Sequence, residues 1–225
     1  MPRILSTIKL WVVPQGEKVI TVKAGILKGV LMRLDLVSHT QVVLGLYERE
    51  LFGWFRRFTK GAQTALDIGS GMGMYTLYFL KNTPIKKVVA FEPHPEKRAE
   101  LKDHLKLNGF DKSERVQIVT KYVNSYLDKN EITLDSISSQ FKGPIIAKMD
   151  VDTLEVKILE GAKEFLKRPD VRWIIETHSK ELERDCLSIF KAAGYRTKIV
   201  RNAWWRIFVP ELRPIDHNRW MVAYR

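Results

Sequence analysis

Apolar positions in this chain fall into short runs and stripes whose order becomes regular from Ala65 onward. Ahead of that point, Ile8 to Val13 and Val19 to Val22 read as strands around a Pro14-Gln15-Gly16-Glu17 turn. Gly29 precedes a third apolar stretch, Val30 to Leu36, read as strand as well. Leu46, Glu50, Leu51, Trp54, Phe55 and Phe58 then have the spacing of one helix face, which Gly61 ends. The regular part predicts strands at Ala65 to Ile68, Lys87 to Phe91, Val116 to Val119, Pro144 to Met149 and Val171 to Ile175. Two further strands are expected at Thr197 to Val200 and Arg219 to Tyr224. The helices between them start near Met72, at Pro93-His94-Pro95 and at Asp152, and a last one carries Leu182, Cys186, Ile189 and Ala193 on one stripe. Such alternation predicts a doubly wound α/β fold, with a mostly parallel sheet and right-handed crossovers. Residues 1–60 are expected as a small N-terminal β/α extension packed on a core of 61–225, the whole forming a single domain.

Composition narrows the picture. At 225 residues, with 45% apolar and 10% aromatic positions, the chain can fill one core and is not a disordered one. No apolar run reaches the ~20 residues of a membrane-spanning helix. Lys9 interrupts the apolar N-terminus, which reads as a strand and not as a signal peptide. The lone Cys186 excludes an internal disulfide, so a reducing, cytoplasmic setting is expected. The net charge of +12 is uneven: residues 1–66 and 161–225 each carry +6, and residues 67–160 are neutral. Such flanks are either a solvated surface or a rim for an anionic acceptor, such as a phosphorylated metabolite, lipid headgroup or nucleic acid.

The densest motif follows the first regular strand, Leu66-Asp67-Ile68-Gly69-Ser70-Gly71-Met72-Gly73-Met74-Tyr75-Thr76. Glycines at alternate positions between a strand and a helix let the backbone turn sharply and lie against a ligand. The helix start adds N–H groups that suit an anion. Glu92 ends the next strand, where a carboxylate can accept two ribose hydroxyls. A dinucleotide site also has glycines and a later acid, but its third glycine would stand where Met74 does. Asp67, before the glycines, suits a cationic ligand end such as the amino group of S-adenosylmethionine. The expected cofactor set is therefore Asp67, Gly69, Ser70, Gly71, Gly73, Tyr75, Thr76 and Glu92.

These residues, with others around them, resemble a known family. Gly45-Leu46-Tyr47-Glu48, the glycine turn, Phe91-Glu92-Pro93, Leu134-Asp135-Ser136, Ala147 to Asp152, Glu155, Gly161-Ala162 and Trp173 to Glu176 are similar, in order and wording, to FkbM-type methyltransferases. The resemblance spans about Gly25 to Glu176. It implies a class I, Rossmann-like methyltransferase fold, S-adenosylmethionine as cofactor, and Tyr47 and Glu48 at the cofactor pocket. Members of the family act mostly on hydroxyls of sugars, lipids or secondary metabolites. Two departures stand out: Ser70-Gly71 where the family has Ala-Asn, and Asp152-Thr153 where it has Glu-Gly.

Ligands in such sheets bind beyond the carboxyl ends of the strands, which selects Asp150, Glu176 and His178 as catalytic candidates. Asp150 would orient or deprotonate the acceptor and also belongs to the expected cofactor contacts; its competing role is a helix N-cap. His178 is a base candidate because its ordinary pKa is near neutrality. Asp150, Asp152, Glu176 and His178 could jointly bind a divalent ion, though nothing in their spacing demands a metal, and none is expected. Arg201 and Arg206 flank Trp204 and Trp205, a pair that either packs on the sheet edge or stacks on an acceptor. The favoured function is methylation of a sugar, lipid-linked or other small acceptor. A nucleic-acid methyltransferase comes second, because the Asp150-Val151-Asp152-Thr153 stretch lacks the prolines common in amino-methylating enzymes. A non-catalytic binding protein of the same fold is third. The oligomeric state is not legible.

Overall fold

The computed structural model describes residues 16–207 and 219–225. The expected strand at Ile8 to Val13 lies outside them. The order of elements is β1 (Glu17–Thr21), β2 (Leu31–Asp35), α1 (Leu36–Val43), a 3-10 turn (Arg49–Leu51), α2 (Phe52–Phe58), β3 (Thr64–Ile68), α3 (Met74–Lys81), β4 (Lys87–Phe91) and α4 (Pro95–Leu107). There follow β5 (Val116–Val119), β6 (Tyr122–Val123), β7 (Glu131–Ile132), α5 (Leu134–Ile137), β8 (Ile145–Met149) and α6 (Glu155–Glu160). The chain then runs through β9 (Val171–Thr177), α7 (Lys180–Ala192), β10 (Arg196–Val200) and β11 (Arg219–Tyr224).

Seven strands form one sheet in the order β10-β11-β9-β8-β3-β4-β5. Only β11 runs against its neighbours, β9 and β10. The doubly wound, mostly parallel sheet expected from the pattern is therefore present. Its strand order reverses at β3, which pairs with β4 on one side and β8 on the other. Cβ direction alternates along a strand, and this sorts the apolar residues into two buried clusters. Ala65, Val88, Ala90, Ile146, Ile174 and Val222 face one side, together with the β1-β2 hairpin and helices α1 to α4. Leu66, Val89, Ala147, Trp173, Ile175 and Met221 face the other, under α5, α6 and α7.

The hairpin is tied to the sheet through α4. Asn108 bonds the backbone of Leu31 in both directions, at 3.0 and 2.7 Å, and His104 Nε2 accepts from Arg33 N at 3.0 Å. Three elements differ from the pattern. Leu36 starts a helix instead of ending a strand, because the Asp35 carboxylate accepts from Val37 N and Ser38 N. The helix expected over Leu46 to Phe58 is confined to its second half: Glu48 sits in the left-handed region (φ 46°) and breaks it. The helix after β8 is short, and the β6-β7 pair was not anticipated at all.

Candidate active site

The glycine turn leaves the end of β3 beside the start of the β8-α6 connection. Gly69 N and Ser70 N both donate to Phe91 O, at 3.0 and 3.1 Å, stitching the turn to β4. A Cβ on Gly69 would lie 1.9 Å from Asp150 O, so this glycine is needed for chain against chain. Gly71 differs. It has φ 52°, and a Cβ there would meet nothing within 4 Å. Its N–H donates to Glu92 Oε2 at 2.8 Å, and His94 N donates to Glu92 Oε1 at 2.9 Å. Each carboxylate oxygen has a second lone pair left over.

The turn opens onto a cleft of about 1080 Å³. Gly69, Ser70, Gly71, Tyr47, Tyr75, Glu92, Asp150 and Glu176 all stand on its wall, as does Met74, the residue that replaces the third dinucleotide glycine. Asp67, Thr76, Gly73, Glu48 and His178 are not among its wall residues. Asp67 and Thr76 lie behind the wall, with the Thr76 hydroxyl donating to Asp67 Oδ2 at 2.6 Å. Asp67 Oδ1 is buried without a hydrogen bond, as is Ser70 Oγ. Burial raises the Asp67 pKa, and the Lys148 ammonium offsets this only in part.

Lys148 is the site residue that the pattern concealed. It sits mid-sheet, paired in register with Asp67, and its side chain is 4% exposed. Its ammonium donates to Asp150 Oδ2 at 2.9 Å and lies 4.8 Å from the centre of the Tyr75 ring. Burial alone would lower its pKa, but Asp150, Glu48, Glu176 and Asp67 together raise it above the ordinary lysine value. Glu48 accepts the Tyr75 hydroxyl, and burial raises its own pKa against the pull of Lys148. A lysine inside the otherwise apolar Ile-Ile-Ala-Lys-Met run was the available signal.

On the far side of Asp150 stands His178. Its Nδ1 lies 2.7 Å from Oε1 of the fully buried Glu155, and its Nε2 is 3.7, 3.8 and 3.9 Å from Asp150, Glu176 and Asp152 oxygens. Burial would lower the His178 pKa, but the Glu155 hydrogen bond and the charges of Asp150, Glu155 and Asp152 raise it. The fold thus brings Asp150, Glu176 and His178 together. The N-cap role for Asp150 does not hold, since α6 begins at Glu155 and its cap, Leu154, makes no side-chain bond.

The expected basic rim is corrected at Arg206. Its guanidinium is buried and forks onto Glu50 at 2.8 and 2.7 Å, with further bonds to Gln41 Oε1 and Leu46 O. Trp205 lies under it at 4.4 Å, whereas Trp204 is 77% exposed. The two tryptophans do part company, on a 3-10 turn and not on the extended segment expected.

With this geometry in place, the comparisons with known proteins become informative. A model of the methyltransferase FkbM domain matches residues 105–197, from the end of α4 to β10. Over that stretch the sequence is similar to the FkbM methyltransferase domain. The match takes in Lys148, Asp150, Glu155, Glu176 and His178 but begins after the glycine turn. No curated protein matches the sequence. Among solved structures, an FkbM methyltransferase from Methylobacillus flagellatus KT superposes with a TM-score of 0.58 at 15% identity, over 72% of this chain and 44% of its own. An rRNA methylase from Streptococcus thermophilus gives 0.53 at 14%, over 78% and 95%. A Streptococcus pneumoniae protein named for tRNA (m1A22) methyl transfer, solved with S-adenosyl-L-methionine, gives 0.53 at 16%, over 79% and 72%. At these identities the likeness is one of fold: the chain has the class I methyltransferase architecture, and it spans under half the length of the Methylobacillus protein. Fold and family match together imply S-adenosylmethionine as the cofactor. The residues present fit it, because Ser70 Oγ on the cleft wall is buried and unsatisfied, and Gly71 on the same wall opens on empty space.

Proposed function

We propose that this chain transfers a methyl group from S-adenosylmethionine to a hydroxyl of a small acceptor, a sugar or lipid-linked molecule being the favoured class. The observation that carries the reading is one cleft whose wall carries the glycine turn and Glu92 together with Asp150 and Glu176. When bound, S-adenosylmethionine supplies a methyl group on a positively charged sulfur. Glu92 holds the ribose hydroxyls with the lone pairs that Gly71 N and His94 N leave over. Ser70, Tyr47 and Tyr75 line the path of the amino-acid end, and Asp67, Glu48 and Thr76 support them from behind. The acidic surroundings favour a cationic ligand.

An alcohol must lose its proton as its oxygen bonds to carbon. Asp150 is assigned to orient that hydroxyl and to take up the proton, held in place by Lys148 through its other oxygen. Glu176 and His178 complete the acceptor end. Alignment at near-contact distance supplies much of the rate in such a displacement. A nucleic-acid acceptor is less well supported, because Glu92, Glu96, Asp150, Asp152 and Glu176 make the cleft wall acidic and would repel phosphates. No helix among the described residues is long and apolar enough to cross a membrane. The cytoplasmic setting is proposed from the single cysteine. The test is tritiated-methyl transfer from S-adenosylmethionine to sugars, lipids and RNA of the source cell, using wild-type protein and Asp150→Asn. Label on a hydroxyl acceptor, lost in the variant while cofactor affinity persists, is the expected result. Label on RNA alone would overturn the choice of acceptor.

A further inference from the structure

The His178 ring is placed oddly for a group that merely fills space. Its side chain is 7% exposed, and Nε2 is buried without a hydrogen bond. Nε2 faces carboxylate oxygens of Asp150, Glu176 and Asp152 at 3.7 to 3.9 Å. Those distances are too long for hydrogen bonds. They are the separations that ligands of one ion adopt: with bonds of about 2.1 Å, two ligands of the same ion can stand up to about 4.2 Å apart. Behind the ring, the Glu155 carboxylate, with no solvent exposure, accepts a hydrogen bond from Nδ1–H at 2.7 Å. This carboxylate–imidazole pairing fixes the tautomer whose Nε2 lone pair points at the acids, as it does behind metal-bound histidines generally.

The geometry points to a divalent cation site formed by Asp150 Oδ1, Glu176 Oε1 and His178 Nε2. The three side chains' ligand atoms lie within 4.8 Å of one another, so a sub-ångström closure completes the set. Two carboxylate oxygens and one imidazole, with no thiolate, suit a cation of the magnesium–manganese class, with water or an acceptor oxygen in the remaining positions. Charge argues the same way. Asp150, Asp152, Glu155 and Glu176 converge here, and Lys148 sits on the other oxygen of Asp150. The ion would hold the acceptor hydroxyl in an open position beside Asp150, which still takes up its proton. That role rests on the proposed methyl transfer; the binding of the ion does not.

Binding of Mn2+ to the full chain, with no cofactor or acceptor present, is followed by the electron paramagnetic resonance of the free ion. One site per chain is expected, open to competition by Mg2+. Asp150→Asn, Glu176→Gln and His178→Ala should each weaken it by roughly tenfold or more, and Glu155→Gln by roughly tenfold. Asp103→Asn, in the distant ion pair with Arg33, should leave it unchanged. Pulsed measurements on the wild type should show nitrogen coupling from an imidazole, a readout that needs no variant to fold. No Mn2+ binding at millimolar ion, a site indifferent to the three ligand substitutions, or a bound ion without nitrogen coupling would overturn the proposal. Calorimetry of S-adenosylmethionine is independent of these outcomes, so the cation site and the cofactor reading fail separately.

Discussion

Replacing Lys148 by Met removes the cation from the most acidic part of the interior. Met keeps most of the volume, so the effect is electrostatic and not a cavity. Lys148 is 4% exposed and its partner Asp150 13%, which puts the pair well inside the protein. Breaking a buried pair by removing one partner costs about 3–5 kcal/mol, because the other charge is left uncompensated. Against a typical total of about 5–15 kcal/mol that is a large share. At about 2–4 °C per kcal/mol for a chain of this size, the melting temperature near pH 8 should fall by about 6–20 °C. The deficit should depend on pH. Burial already raises the Asp67 and Glu48 pKa values, and Lys148 restrains both. Without the lysine both rise further. A carboxyl whose folded pKa is raised gives stability that is full below its unfolded pKa and is lost as pH rises through the folded value. The gap between variant and wild type should therefore narrow as pH falls from 8 towards about 4.5, where the unfolded carboxyls titrate. Thermal denaturation followed by circular dichroism across that range tests this. A melting temperature unchanged at pH 8, or a gap that widens in acid, would refute the picture of a desolvated acidic cluster held by one lysine.

Two further substitutions probe the flanks of the site. Thr153 has φ 71° on an exposed segment, at a position where the FkbM-type resemblance has Gly. Thr153→Gly removes a left-handed penalty of about 1–2 kcal/mol at an entropic cost of about 0.5–1 kcal/mol, so stability should hold or rise slightly; a loss above about 1 kcal/mol in urea unfolding would show that the Thr side chain contributes to the loop. Arg206→Ala should cost about 3–5 kcal/mol by stranding buried Glu50, whose carboxyl now titrates below its usual range because the Arg206 and Ala203 bonds outweigh burial. An Arg206→Ala variant of normal stability would return that arginine to the acceptor rim.

Much of the fold was legible because buried parallel strands announce themselves as apolar runs. Lys87 to Phe91 and Val116 to Val119 begin and end in the structure where the pattern puts them, and so does Arg219 to Tyr224. The helix at Leu36–Val43 was hidden because Val30 to Leu36 is apolar throughout, and only the Asp35 cap divides strand from helix. In the site, the glycine turn and Glu92 could be read because their spacing is local. Glu155 and His178 could not be joined from sequence: 23 residues separate them, and only the crossover from β8 to β9 sets one carboxylate on the other's ring. Lys148 is hidden in the sequence for a different reason. Its charge is matched by Asp67 on the neighbouring strand, by Asp150 two residues on and by Glu48 a hundred residues back, and no window along the chain contains all of them.

What the cleft binds decides its function. Isothermal titration of the full chain with S-adenosylmethionine, its demethylated product and NAD, repeated with Glu92→Ala, addresses that directly. The first two should bind and NAD should not, since Met74 occupies the position where a dinucleotide turn needs glycine. Glu92→Ala should weaken cofactor binding by about 1–3 kcal/mol, the range for losing a charged hydrogen-bond partner. Tight binding of NAD with none of S-adenosylmethionine, or an affinity for S-adenosylmethionine that Glu92→Ala leaves unchanged, would contradict the cofactor reading.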